Sequence, residues 1–246
     1  MSALLIANPM AASSFIISAP DFGGFFATTP LQCRILPFYL SGAASIFMIK
    51  SNQMRNLIFG INITLDGCCD HTKVTGDEEI HNYFADLLRD ADVLVYGRIT
   101  YQLMVPFWPD VAKNHSGSTK SMNDFALAFD AVDKIVVFSR SLEKAEGKNT
   151  RIVRTGLQDE IIKLKQEPGK NILVGGVDIP SQLIELDLID ECRFVVQPIV
   201  AGEGRRLLEG ITLQEKLKLK LVESTVFKSG CVALRYVKGA SDIRHI

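Results

Sequence analysis

The order of apolar runs along the chain predicts an α/β fold, a mainly parallel central sheet flanked by helices and completed by a C-terminal antiparallel hairpin. Three observations carry this. Short, near-continuous apolar runs such as Asp92–Tyr96 have the length and composition of strands buried on both faces, as in parallel sheets. Stretches of helical periodicity alternate with them. Near the C terminus the pattern shifts to period two, Leu217, Leu219 and Leu221 against Lys216, Lys218 and Lys220, which predicts a strand with one wet face.

In chain order, Leu57–Ile61 is a short apolar run broken by Leu65-Asp66-Gly67, a first strand and loop. Thr75-Gly76-Asp77-Glu78 has capping-box spacing, and Ile80, Phe84, Leu87, Leu88 and Ala91 recur behind it at helical intervals. Lys134–Ser139, Arg151–Arg154 and Asn171–Val174 read as further strands, with helices at 121–132, 157–166 and 180–188. Cys192–Val200 is one long strand, and Phe227-Lys228-Ser229-Gly230 turns the chain into a last strand, Cys231–Val237, forming the hairpin at the sheet edge. No repeat or linker interrupts residues 54–238, which therefore read as one domain, with 239–246 as a tail.

The first 53 residues are of another kind. Only Asp21, Arg34 and Lys50 are charged there, four prolines interrupt the segment, and it has no clear period. Its last apolar stretch, Ile35–Ile49, is shorter than the roughly 20 residues a membrane helix needs. The first basic residue, Arg34, lies too far along for a secretory n-region. The segment reads as a non-conforming extension or as an upstream start, with Met54 opening the domain.

Composition bounds the partners. The 246 residues carry 27 basic and 28 acidic side chains, a formal net charge of -1, so no global field draws the chain to nucleic acid or an anionic membrane. Five scattered cysteines without a CxxC pair fit neither a disulfide scaffold nor a zinc site, and a cytoplasmic setting is expected. Cys68-Cys69-Asp70-His71 offers metal-ligand types, but adjacent residues rarely converge on one ion, so no metal is expected.

In an open α/β sheet, ligands sit outside the carboxyl ends of the strands. Three strand ends here suit anions. Gly97-Arg98-Ile99-Thr100 combines a close-approach glycine, a guanidinium and a hydroxyl at a helix start. Ser139-Arg140 pairs a hydroxyl with a guanidinium, as a phosphate monoester requires. Gly175-Gly176-Val177 leads into a helix whose N-terminus can seat a pyrophosphate. Each is weak alone, but together they match a dinucleotide carrying an extra phosphate, and no GxGxxG marks an ordinary Rossmann site.

These motifs, in this order, resemble the dihydrofolate reductase superfamily, and within it the reductase domain of bifunctional riboflavin-biosynthesis proteins and its stand-alone relatives. Thr64-Leu65-Asp66-Gly67 is similar to that group's Ser-Leu-Asp-Gly loop, and Pro198–Gly204 to its Pro and Gly-rich segment. The resemblance implies NADPH as hydride donor, with Gly97, Arg98 and Thr100 on phosphate, Ser139 and Arg140 on the adenosine 2′-phosphate, and Gly175, Gly176 and Val177 on the pyrophosphate. Arginine beside a hydroxyl agrees, since a bare ribose calls for an acidic partner.

The chain also departs from the pattern. Val174 stands where riboflavin reductases carry a substrate-contacting Glu, Lys73 lies near the place of their loop tryptophan, and Glu78 and Glu79 do not align securely with the folate enzymes' catalytic carboxylate. Asp66, after the first strand, is the candidate proton donor, and Thr75 and Glu203 are candidates for the substrate side. The expectation is an NADPH-dependent reductase of a small pterin- or pyrimidine-like substrate, forming a homodimer. The alternative, which Val174 would permit, is a non-catalytic nucleotide-binding module on the same fold.

Overall fold

The computed structural model describes residues 54–74, 76–147, 149–213 and 216–239. The expectations for 1–53, for Thr75 and for the tail beyond 239 lie outside them. Fourteen elements follow in order: β1 (Leu57–Thr64), α1 (Glu78–Arg89), β2 (Ala91–Gly97), α2 (Arg98–Met104), α3 (Trp108–Asn114), α4 (Lys120–Asp130), β3 (Lys134–Phe138), β4 (Thr150–Val153), α5 (Leu157–Gln166), β5 (Asn171–Val174), α6 (Asp178–Glu185), β6 (Glu191–Gln197), β7 (Leu219–Val226) and β8 (Val232–Lys238).

The strands form one eight-stranded sheet in the order β4-β3-β2-β5-β1-β6-β8-β7. From β4 to β6 the neighbours run parallel, and β8 and β7 are antiparallel, which is the predicted fold class. The alternation of a strand explains the continuous apolar runs. Leu57 and Phe59 of β1 face α5 and α6 in a core with Ile161, Leu164 and Leu183, whereas Ile58 faces α1 and α4 in a second core with Leu88, Leu94 and Phe129.

Tertiary pairing moves several boundaries. β1 runs on to Thr64 because Ile61–Thr64 pair in register with Phe194–Gln197 of β6. β6 stops at Gln197, before Pro198, which has no N–H to offer the ladder. α6 starts earlier than expected, at Asp178, since Pro180 lies in its first turn, where a missing N–H costs nothing. The expected capping box gives way to Asp77, whose carboxylate accepts from the Ile80 N–H at 2.7 Å, one residue before the helix. α3 is a helix that the sequence pattern did not show; Pro109 sits in its first turn, and His115 ends it in the left-handed region at φ 50°.

The hairpin differs in one respect from expectation. β8, the later strand, pairs with β6, leaving β7 as the outer edge, and all of β7 is exposed, Leu219 and Leu221 included. The period-two pattern therefore gives a strand with both faces uncovered within one chain.

Candidate functional site

The three anion-suited segments follow β3, β2 and β5, which are consecutive neighbours in the sheet. Parallel pairing puts the carboxyl ends of these strands on one side, so sequence-distant loops line up along one rim. Gly175 and Gly176 pack against the neighbouring strand end. A Cβ on Gly175 would come to 3.0 Å from the Tyr96 ring, and one on Gly176, whose φ is +88°, would overlap the Thr100 hydroxyl oxygen. Gly97 is the N-cap of α2 and would meet Ile179 of α6. Gly97, Thr100, Gly175 and Gly176 are thus brought together.

Helix termini along this rim are open. α2, α5 and α6 begin after β2, β4 and β5 with N-caps Gly97, Gly156 and Val177, and none has a side-chain cap. α1 and α4, by contrast, are capped by the Asp77 carboxylate and the Thr119 hydroxyl. Uncapped first-turn N–H groups with the positive end of the helix dipole are ready anion sites.

Ser139 and Arg140 line a second depression of about 370 Å³ together with Arg154, Thr155 and Gly156. The Ser139 hydroxyl accepts from the Leu142 N–H at 3.0 Å and keeps its own proton to donate. Arg154 donates to the Arg140 main-chain carbonyl at 3.1 Å, and both residues line the depression. Sequence reasoning missed Arg154 because β4 and β3 become neighbours only through sheet pairing. Arg98 stands in the first turn of α2, exposed, and donates to Gln102 at 3.0 Å; it lines neither depression. Asp178, next to Val177, is neutralised by Arg205 at 2.5 Å.

Beyond Gly176 the rim opens into a cavity of about 270 Å³ against β1 and α1. Its polar contributors are Asn62, His81, Tyr96 and Thr100, and its walls include Phe84, Met104, Trp108 and Phe125. Trp108 stacks edge-on to Phe125 at 4.5 Å and lies 6.2 Å from the His81 ring. Burial lowers the His81 pKa below its ordinary value, which keeps the ring neutral at pH 7. Burial raises the Tyr96 phenol far above its usual range. Asn62, on the same strand face as Gly60, keeps a buried Oδ1 without a hydrogen-bond partner among the described residues. Asn62 and His81 drew no attention in the sequence, since a lone Asn in a strand and a lone His on a helix carry no motif.

Asp66 and Glu203 lie elsewhere. The loop after β1 and the loop after β6 are zipped together: Leu65 N–H donates to the Ile199 carbonyl and Leu207 N–H to that of Gly67. The Asp66 carboxylate accepts from the Thr64 hydroxyl at 2.6 Å and from the N–H groups of Ala201 and Gly202 at 3.0 and 2.9 Å, with Arg206 3.3 Å away. These donors, the Thr64 hydroxyl first, hold its pKa well below the usual carboxylate range. An ionised carboxylate with these partners is a loop clasp and a poor proton donor at neutral pH, which corrects the catalytic expectation. Glu203 pairs with Lys73 at 2.7 Å, exposed and outside the cavity lining, so it does not reach the substrate side either.

Asp66→Asn is expected to lower the melting temperature, since it weakens the loop clasp. A depressed folded pKa contributes stability that is present above the ordinary carboxylate pKa and lost as pH falls through the folded one. The loss of stability in this variant should therefore be constant from about pH 5 to 8 and shrink only in strong acid, as thermal melts across pH would show. An unchanged melt across this range would refute the clasp.

The family model for the RibD C-terminal domain matches residues 55–233. The chain belongs to this family. Among its relatives is the uncharacterized protein YyaP of Bacillus subtilis, 31% identical over 193 residues, which cover 77% of this chain and 98% of that protein. A putative riboflavin biosynthesis protein from Shewanella sp. PV-4 superposes with a TM-score of 0.58 at 20% identity, over 75% of this chain and 99% of that one. The Thermotoga maritima diaminohydroxyphosphoribosylaminopyrimidine deaminase/5-amino-6-(5-phosphoribosylamino)uracil reductase superposes with a TM-score of 0.55 at 17% identity, over 76% of this chain and 58% of that one. At these identities the solved structures share the fold.

Within this RibD C-terminal domain, Val174 corrects one sequence expectation. It is fully buried on the α6 side of β5, in the core with Leu183, while its neighbour Leu173 lines the cavity. A side chain at 174 points away from the cavity. No helix among the described residues is long and apolar enough to cross a membrane.

Proposed function

We propose that this protein is an NADPH-dependent reductase that reduces a small pterin- or pyrimidine-like ring held in the cavity against β1. The observation that carries the reading is the line of open helix termini across the ends of β4, β2 and β5, with two arginines at one end and the aromatic cavity at the other. The residues fit the cofactor: a side chain on Gly176 would fill the cradle beside Thr100, and the uncapped N–H groups have no protein partner side chain. Ser139, Arg140 and Arg154 would hold the 2′-phosphate, and Gly97, Arg98, Thr100 and Gly175–Val177 the remaining phosphates. Bound there, the dinucleotide would supply a hydride.

The chain's own groups then position the substrate ring. Phe84, Trp108 and Phe125 offer flat apolar walls, and Asn62 and His81 the hydrogen-bonding edge. With Asp66 committed to the loop clasp, water entering the cavity supplies the proton. The alternative, a non-catalytic nucleotide-binding module, was one that Val174 would permit, and Val174 faces away from the cavity.

The test is a titration of NADPH and NADH against the full chain, followed by cofactor fluorescence, and then cofactor oxidation with a panel of pterins and pyrimidines. Tighter NADPH binding with turnover supports the reading. Binding without turnover would make the protein a nucleotide-binding module, and binding of neither cofactor would overturn both.

The same reading includes a cytoplasmic homodimer joined through β7, whose uncovered Leu219, Leu221 and Val222 lie on an edge strand with open hydrogen-bonding groups. Light scattering should give twice the 27.2 kDa chain mass; a monomer mass refutes the dimer.

A further inference from the structure

We propose that His81 is the catalytic residue that hands the substrate its proton, relaying a proton that water brings into the cavity. The inference rests on the reductase reading and adds to it the group through which that proton passes. Two observations carry it, the place of the imidazole in the cavity wall and the lack of any other serviceable acid there.

Hydride addition to a C=N bond of the substrate, at the expense of the reduced dinucleotide, forms a C–H bond and leaves an electron pair on nitrogen. That nitrogen takes a proton to become N–H. No Asp, Glu, Lys, Arg or Cys lines the cavity among the described residues. Asp66 and Glu203 are held outside it by Arg206 and Lys73, and Glu79 of α1 accepts from the Lys228 N–H at 2.7 Å. Two lining side chains titrate, and burial raises the Tyr96 phenol so far that it is too weak an acid to serve. His81 is left.

His81 is the fourth residue of α1, four past the Asp77 N-cap, and it is only half-buried, so water in the cavity reaches its ring. The ring is wedged between Trp108 at 6.2 Å, Phe125 at 6.1 Å and the main chain of Gly76, where a Cβ would stand 3.0 Å from both Nε2 and Cε1. These contacts fix where the proton is delivered. The elements around the ring bring little charge: α2, α3, α4 and β1 present Thr100, Trp108, Phe125 and Asn62, β2 the protonated Tyr96, and only Asp77 of its own helix is ionised. Burial lowers the His81 pKa, and the Asp77 carboxylate and main-chain carbonyl act against that by favouring the charged ring. The lowered pKa makes the loaded ring a stronger acid and thins its population at pH 7, so proton delivery should quicken as pH falls.

Two measurements on the full chain test this. The first needs neither cofactor nor turnover: the imidazole Cε1–H signals are followed by proton NMR from about pH 5 to 8. The chain has four histidines, and the signal missing from His81→Gln, checked for folding by its circular-dichroism melt, belongs to His81. The expected midpoint lies below the ordinary histidine value of about 6.5. A ring that takes up no proton over this range cannot carry one, and that result overturns the proposal. In the second, NADPH oxidation is followed over the same range with the pterin or pyrimidine that turns over fastest. Wild-type kcat should rise as pH falls and level off below the NMR midpoint. His81→Gln should lower kcat by about a hundredfold, change KM by less than about threefold and abolish the pH dependence. Added imidazole should restore part of the rate of His81→Ala, which a merely structural role would not allow. Unchanged kcat or an undiminished pH dependence in His81→Gln overturns the proposal and leaves the reductase reading in place. If no pterin or pyrimidine turns over, the reductase reading falls and the role of His81 falls with it.

Discussion

Gly176→Ala should abolish NADPH binding and destabilise the fold at the same time. The residue sits at φ +88°, where any L side chain costs about 1–2 kcal/mol, and its Cβ would overlap the Thr100 hydroxyl oxygen at the start of α2. For a domain of this size about 2 kcal/mol corresponds to a fall of about 4–8 °C in melting temperature. The new methyl also occupies the space in which a phosphate would approach the first-turn N–H groups of α6. A double-mutant cycle separates the two effects. Thr100→Ala in the Gly176→Ala background should recover the part of the stability lost to the clash, leaving the cost of the backbone conformation, and should not recover cofactor binding. A Gly176→Ala variant that binds NADPH like the wild type would remove the phosphate from this strand end.

Replacing Arg140 and Arg154 together by Ala should abolish the proposed preference for NADPH over NADH. Both arginines line the depression at the ends of β3 and β4, with Arg154 held by the Arg140 main-chain carbonyl. Charge-assisted hydrogen bonds contribute about 1.5–3 kcal/mol each, so losing two should raise the NADPH dissociation constant by about a hundredfold or more. NADH, which lacks the 2′-phosphate, should change by about twofold at most, and the NADPH preference of the wild type should weaken with salt. Equal weakening of both cofactors would place the arginines on the shared pyrophosphate instead. The single Arg154→Ala variant is informative in itself, because that residue was found through sheet pairing and through no motif.

The motifs legible in the sequence were those in which one strand end carries the whole chemical signal. Gly175-Gly176 before a helix and Ser139-Arg140 after a strand could be read from adjacent residues, and the structure sets them at the ends of β5 and β3, on either side of β2. Asp66 was legible as a loop residue, but its role depends on Ala201 and Gly202, more than 130 positions away, whose N–H groups meet its carboxylate. Glu203 failed for the same reason, since its partner Lys73 is reached only when the two loops zip. Asn62 and His81 could not be recognised beforehand, because what sets them apart is a shared cavity.

The sequence by itself determined the alternation of elements, the parallel character of the sheet and the anion-suited strand ends, because periodicity, turn residues and helix starts are local properties of a chain. Only the tertiary structure decided which strand ends became neighbours, which carboxylates were already paired, and which way each side chain faced. Val174 shows the physical reason most plainly. Its identity could be compared with a family pattern, but whether it touches a ligand depends on the face of β5 it occupies, and that face is set by the packing of α6 and Leu183 against the sheet.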